Sequence, residues 1–257
     1  MTTGVVVIQT LMAGAFGASI GSFANVIIMR THAGRSYLTG RSACPHCGRS
    51  LRWWELIPVL SFVALGGRCR TCRHRLTLQY ILLECLSAAI FMTVWLRFGW
   101  TWLMPLGWVV GTVMLIIAIY DFHWSLIPDE FSIFFIIAGL ASGLVARIPL
   151  WEIALGGGLG AAFFGLQHVL SRGRWVGSGD ILLGLGLGLL LGWRDLLVTL
   201  VIAYLVGSVI ASVQIIRHRA STKKAMAFGP YLMAAGFVVW LWGPAIVQWY
   251  LLYVIRF

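Results

Sequence analysis

Charged residues are scarce in this sequence, at 11% of 257 positions, against about 25% in an ordinary soluble domain. The scarcity excludes a soluble globule of this size, because the polar surface needed to solvate one is missing. Acidic residues are fewest, eight in all. The Gly-x-Ser-x-Gly match at Gly17-Ala18-Ser19-Ile20-Gly21 lies inside a long apolar run, not at a strand-to-helix elbow, and no His-Glu-x-x-His pair occurs, which leaves the serine-hydrolase and zincin readings without support. A cleavable signal peptide is not expected either. The first apolar run, 4–29, is too long for a signal core and carries its arginine at the far end.

What is present is apolar: 60% of the residues, in several runs longer than 18. Such runs read as membrane helices. The spacing predicts about eight: 4–29, 78–96, 102–120, 131–146, 153–170, 180–191, 196–216 and 228–255. The expected fold is an all-α polytopic membrane protein with a small zinc-binding loop domain. The domains expected are a first helix to residue 29, a polar loop over 30–77, and a seven-helix core over 78–257. Ala13, Gly17 and Gly21 fall at i, i+4 and i+8, a small-residue stripe for close helix packing. The net charge of +11 would suggest nucleic acid in a soluble protein. In a membrane protein the positive-inside rule explains it, and the expected partner is the lipid bilayer.

The loop over 30–77 holds nine arginines, no lysine and one acid, Glu55. It is too small for a core of its own and needs a staple. Cys44-Pro-His-Cys47 and Cys69-Arg-Thr-Cys72 supply one. Two Cys-x-x-Cys pairs match a closed, tetrahedral, structural Zn²⁺ site; redox pairs and an iron–sulfur centre are the alternatives. His46 is read as a surface residue. Between the pairs lies the stretch Leu51-Arg-Trp-Trp-Glu55-Leu-Ile-Pro58, amphipathic and aromatic, with Trp53 and Trp54 suited to the membrane interface. Glu55 is either an ion-pair partner of a nearby arginine or a contact for an amino group of a ligand.

Charge sets the orientation. With the loop inside and the N-terminus outside, fifteen of the nineteen basic residues fall inside: the nine of the loop with Arg172, Arg174, Arg217, Arg219, Lys223 and Lys224. Arg97, Arg147, Arg194 and Arg256 fall outside. Asp121 then ends an inward-running segment, Asp180 begins an outward-running one, and Asp129 shares their face. Asp180 follows Gly177-Ser-Gly179 and opens a run with Gly184, Gly188 and Gly192 at i+4. It is either a helix cap or half of a functional pair. Two carboxylates held together share one proton, so one can activate water while the other protonates a leaving amine. Gly177 and Gly179 would let a substrate backbone approach. The other readings are ion or proton transport, whose mark would be acids at mid-bilayer, and a zinc-bearing scaffold.

Several stretches in order resemble the bacterial type IV prepilin peptidase family, membrane aspartic proteases of the GxGD type. They are Gly21-Ser-Phe-Ala-Asn25-Val-Ile-Ile-Met-Arg30; the two cysteine pairs with Trp54-Glu55-Leu-Ile-Pro58; Gln79-Tyr-Ile-Leu-Leu-Glu84; Asp121 with Leu126-Ile-Pro128-Asp129; Gly177-Ser-Gly-Asp180; and Phe228-Gly-Pro-Tyr-Leu232. The resemblance implies an inner-membrane endopeptidase that cuts the short basic leader of type IV prepilins or type II secretion pseudopilins at the cytosolic face. Asp121 and Asp180 would be catalytic, with Asp129 the rival for the first role. It also implies N-methylation of the new N-terminus with S-adenosylmethionine, an activity associated with the loop and Glu55. Two positions depart from the family pattern. Leu182 stands where a lysine usually follows the GxGD aspartate, and Leu56 stands where an asparagine commonly follows the loop glutamate.

Overall fold

The computed structural model describes residues 3–217 and 227–255. Among them there is no strand, only two isolated β-bridges. Helices are what a bilayer demands, since each backbone N–H and C=O must be satisfied within its own segment. The chain divides into two compact units, Met1–Trp100 and Thr101–Phe257. Charge composition marks a different boundary, 77/78, where the polar loop ends. The first unit runs on through the next helix because that helix packs on the first one.

In the first unit, α1 (Thr3–His32) and α3 (Gln79–Phe98) pair along the small-residue face of α1. A Cβ at Gly17 would stand 2.7 Å from Phe91 and 2.8 Å from the Ser87 carbonyl oxygen, and one at Gly21 would stand 2.7 Å from the Leu83 carbonyl oxygen. The Ser87 hydroxyl donates to the Gly17 carbonyl at 2.6 Å. The stripe read from the sequence is therefore the α3 contact. Between the helices lies the cysteine loop, with a 3₁₀ turn at Trp53–Leu56 and the short α2 (Leu60–Ala64). Trp53 and Trp54 are exposed, and the Arg52 guanidinium lies over the Trp54 ring at 5.1 Å.

The second unit holds α4 (Leu103–Trp124), α5 (Asp129–Val145), α6 (Leu150–Ser171), α7 (Ser178–Ile216) and α8 (Gly229–Tyr250), with a π turn at Leu251–Ile255. Among the described residues six helices are long and apolar enough to cross a membrane; α5, at 17 residues, falls just short of that length. At 39 residues, α7 would measure about 58 Å if straight, nearly twice a hydrocarbon core of about 30 Å. It is not straight. Gly192 takes φ 74°, ψ 175°, outside the helical region.

Packing shows that the chain doubles back there. Along the first arm of α7, Gly184 lies against Gly160 and Gly188 against Gly156, so numbers rise on α7 as they fall on α6. A continuous helix would carry Tyr204 about 30 Å beyond Gly184, away from the C-terminal end of α6. Yet the Tyr204 hydroxyl donates to Gln167 at 3.0 Å. The two arms of α7 are thus separate antiparallel segments, and the count of about eight stands. Of the basic residues used to set orientation, Arg219, Lys223, Lys224 and Arg256 lie outside the described residues.

The first arm of α7 is the centre of this unit. Leu183, Leu187 and Leu190 are buried on it. Phe135 of α5 fills the space beside Gly186, Leu187 fills that beside Gly236 of α8, and Met114 of α4 also reaches Gly236.

Gly192→Ala puts a side chain into a backbone region that is essentially restricted to glycine. We expect it to lower resistance to unfolding in a detergent titration by about 1–3 kcal/mol, with the loss located at the turn between the two arms.

Candidate active site and metal cluster

Asp121 and Asp180 reach their places by different routes. Asp121 sits in the last turn of α4, whose end is fixed by Ser125 in the left-handed conformation (φ 50°), its N–H donating to the Asp121 carbonyl at 2.7 Å. The chain then passes through Leu126-Ile127-Pro128 into α5. Asp180 sits in the first turn of α7. Its Oδ2 accepts the Gly177 N–H at 3.1 Å, so it does cap its own helix. Both carboxylates are buried, at 5% and 9% exposure. The charge of Asp180 acts on Asp121 and also on the Tyr204 hydroxyl. The structure therefore brings these two acids together, and both lie at helix ends rather than mid-helix.

Asp121 has a partner that sequence reasoning missed. The Gly229 N–H, in the first turn of α8, donates to Asp121 Oδ2 at 2.8 Å. Each aspartate thus has one oxygen tethered by a glycine N–H at a helix N-terminus, where unpaired N–H groups and the helix dipole favour negative charge. In each, the other oxygen has no protein partner among the described residues. The signal available in the sequence was Pro230, which marks the start of α8 and leaves Gly229 in its first turn.

The supporting residues fall out differently. Asp129 is exposed in the first turn of α5, following the Pro128 cap. The space beside Gly179 is occupied by Ile127, whose Cβ would lie 3.0 Å from an added methyl. That contact joins the link after α4 to the start of α7. Gly177 supplies its N–H to Asp180.

The loop of the first unit is two copies of one turn. The Cys44 N–H donates to the Arg49 carbonyl and the Cys69 N–H to the His74 carbonyl, each at 2.9 Å. Gly48 and Arg73 take positive φ at matching places, 68° and 57°. The turns bring all four thiol sulfurs within 4.8 Å of one another, with Cys44 and Cys72 at 3.9 Å. Four sulfurs about 2.3 Å from one tetrahedral ion would stand about 3.8 Å apart, so the cluster can hold a metal ion. The backbone N–H groups of Cys72 and Thr71 draw the Cys69 thiol down to about 6, while, against the His74 N–H, burial and the neighbouring thiols push that of Cys72 up to about 11. His46 stacks on His74 with ring centroids 4.4 Å apart.

Glu55 takes the ion-pair reading. Its carboxylate accepts a two-point contact from Arg49, at 2.7 and 3.1 Å, and the Arg52 N–H at 2.8 Å. The Arg49 pair, then that N–H, hold its carboxyl below the ordinary glutamate range. Arg49 also reaches Cys69, so one guanidinium ties Glu55 to the cluster.

Known proteins bear on this arrangement. Residues 15–98 match the model of the bacterial peptidase A24 N-terminal domain, and residues 108–212 match that of the type IV leader peptidase family. The chain is 30% identical to a prepilin leader peptidase/N-methyltransferase of Bacillus subtilis, over 92% of this chain and 95% of the relative. It is 30% identical to a protein of the same name from Aeromonas salmonicida, over 92% of this chain and 91% of that one. A Pseudomonas aeruginosa protein of that name is 29% identical, over 91% of each. No solved structure matches.

Two outcomes follow from the geometry. Gly229→Ala would set a methyl 2.6 Å from Asp121 Oδ2; we expect at least a tenfold loss of whatever reaction the aspartates carry out, measured in membranes with insertion unchanged. Cys44→Ser and Cys72→Ser should each lower bound metal to a small fraction of one per chain by elemental analysis, with faster proteolysis confined to residues 33–78.

Proposed function

The chain belongs to the type IV leader peptidase family, and we propose that it is a membrane-embedded aspartic endopeptidase in which Asp121 and Asp180 are the catalytic pair. It removes the short basic leader of prepilins or pseudopilins and N-methylates the new N-terminus. The observation that carries the catalytic assignment is the matched pair of buried aspartates. Each has one oxygen fixed by a glycine N–H, the other is unpartnered among the described residues, and the charge of Asp180 acts on Asp121.

Two carboxylates in one site do not both ionise readily, so the pair holds one proton between them. The ionised member takes a proton from water, and the resulting nucleophile attacks the scissile carbonyl. The protonated member first supports the carbonyl oxygen; a proton from the pair then passes to the leaving amine. The glycine tethers keep the two carboxylates oriented through both proton transfers, because each uses the oxygen that the chemistry does not need.

The site belongs on the cytosolic side of the bacterial inner membrane, with the N-terminus outside. The positive-inside count favours this orientation. Zn²⁺ is the ion that four thiolates at this spacing fit best, and with every position filled by protein it is structural. S-adenosylmethionine is the methyl donor that the N-methyltransferase names of the relatives suggest.

Asp121→Asn and Asp180→Asn should each lower leader cleavage by at least a thousandfold in membranes, scored on a model prepilin by mass spectrometry of the product N-terminus. Asp129→Asn should retain cleavage within a few-fold. Cleavage that survives in both of the first two variants would sink the assignment, and liposome ion flux without cleavage would favour a transporter.

A further inference from the structure

The first unit contains a cavity of about 240 Å³ between α1, α3 and the cysteine loop. Glu55, Glu84, Asn25 and Tyr80 are among its lining. Glu55 is not free to serve a ligand there, since Arg49 and the Arg52 N–H occupy both of its oxygens. Asn25 and Glu84 are.

Asn25 is 1% exposed. Its Oδ1 accepts from Gln79 Nε2 at 3.1 Å, and its Nδ2 has no partner. A buried amide donor left without an acceptor is destabilising, and this one lines a cavity. Glu84 is also buried. Its Oε2 accepts the Val59 N–H at 2.7 Å, while its second oxygen has no protein partner among the described residues.

The Val59 bond explains why a carboxylate stands here. Val59 is held at φ 62°, ψ −53°, with the Leu60 N–H donating to the Pro58 carbonyl at 2.6 Å. That is a strained γ-turn with a β-branched residue at its centre. Glu84 pins the turn and so fixes the loop segment that roofs the cavity. One oxygen does this, and the residue also lines the cavity.

The two residues are neighbours. An added Cβ on Gly21 of α1 would stand 2.9 Å from Glu84 Cα, and Asn25 lies one turn further along α1. Both therefore line one cavity, the donor from α1 and the acceptor from α3. An ammonium and an oxygen separated by two carbons would give each of them one hydrogen bond.

We propose that Asn25 and Glu84 form a binding site for an α-amino-acid group, Glu84 taking the ammonium and Asn25 donating to the neighbouring carboxylate or carbonyl oxygen. The inference rests on the methyl-transfer reading above, which supplies two sources of this chemistry. One is the methionyl end of the methyl donor; the other is the first residue of the cleaved peptide.

The test is calorimetric binding to the purified full chain, with two probes: S-adenosylhomocysteine, and a synthetic peptide with the mature N-terminus either free or acetylated. Glu84→Gln keeps an acceptor for Val59 and removes the charge. Asn25→Asp keeps the acceptor for Gln79 and removes the unpartnered donor. Both variants are expected to weaken one probe at least tenfold, with metal content and thermal unfolding unchanged. If that probe is the peptide, acetylating its N-terminus should cause an equal loss with the wild-type chain. Wild-type affinity for both probes in both variants overturns the inference and leaves the methyl-transfer reading standing. Weakened binding accompanied by metal loss counts against it as a structural effect. A wild-type chain that binds neither probe overturns the reading and the inference together.

Discussion

The close approach of α6 to the first arm of α7 is the constraint on which the second unit depends. Gly156 and Gly160 face Gly188 and Gly184 with backbone against backbone. No side chain larger than hydrogen fits between them. Such contact is favourable in a bilayer, where apolar side chains gain little from leaving lipid and tight van der Waals packing is the remaining driving force. It draws the first arm of α7 into the middle of the unit, where Leu183, Leu187 and Leu190 meet α5, α8 and α4. The position of Asp180 follows from this, because a central helix brings its N-terminus into the protein interior instead of into lipid.

That placement sets the electrostatics. A carboxylate buried at the end of a helix needs hydrogen-bond donors, and a helix N-terminus has spare ones. Asp180 takes one from its own helix and Asp121 takes one from α8. Glycine stands at both donor positions, but the space around them differs. At Gly229 a side chain would collide with the carboxylate it serves, whereas a Cβ at Gly177 would make only an ordinary contact, 3.7 Å from Asp180 Oδ2. Ile127 against Gly179 then locks the exit from α4 onto the entry to α7. The pair is held by three local contacts, none of which involves a cation.

Much of this was legible in the sequence, and the exceptions share a cause. Segment number, the small-residue stripe of α1, the cysteine cluster and the pairing of Asp121 with Asp180 come from features that are periodic, or that charge rules order along the chain. The Gly192 reversal was visible as a gap between apolar runs. What escaped notice were backbone donors. Gly229, and the Val59 N–H bound by Glu84, carry no side-chain signature, so their partners could be listed but not assigned. Glu55 shows the opposite limit. As the lone acid among nine arginines it could be read as an ion-pair partner or as a ligand contact, and the arginine density that made it conspicuous satisfies it. Glu84, set within an apolar run, forms no ion pair among the described residues and keeps an oxygen free.

The same reasoning bears on Leu182. A lysine two residues after Asp180 looks as though it should tune that carboxylate, and its replacement by leucine looks like a loss. On a helix, residues i and i+2 point to different sides and do not face each other. Asp180 is in the first helical turn, and its contacts are the Gly177 N–H and burial by its neighbours. Leu182 is half-buried on another face of α7. A cation there would reach for the membrane interface rather than for Asp180. Leucine at this position gives up an anchor for the helix end and leaves the aspartate pair as its glycine donors arrange it.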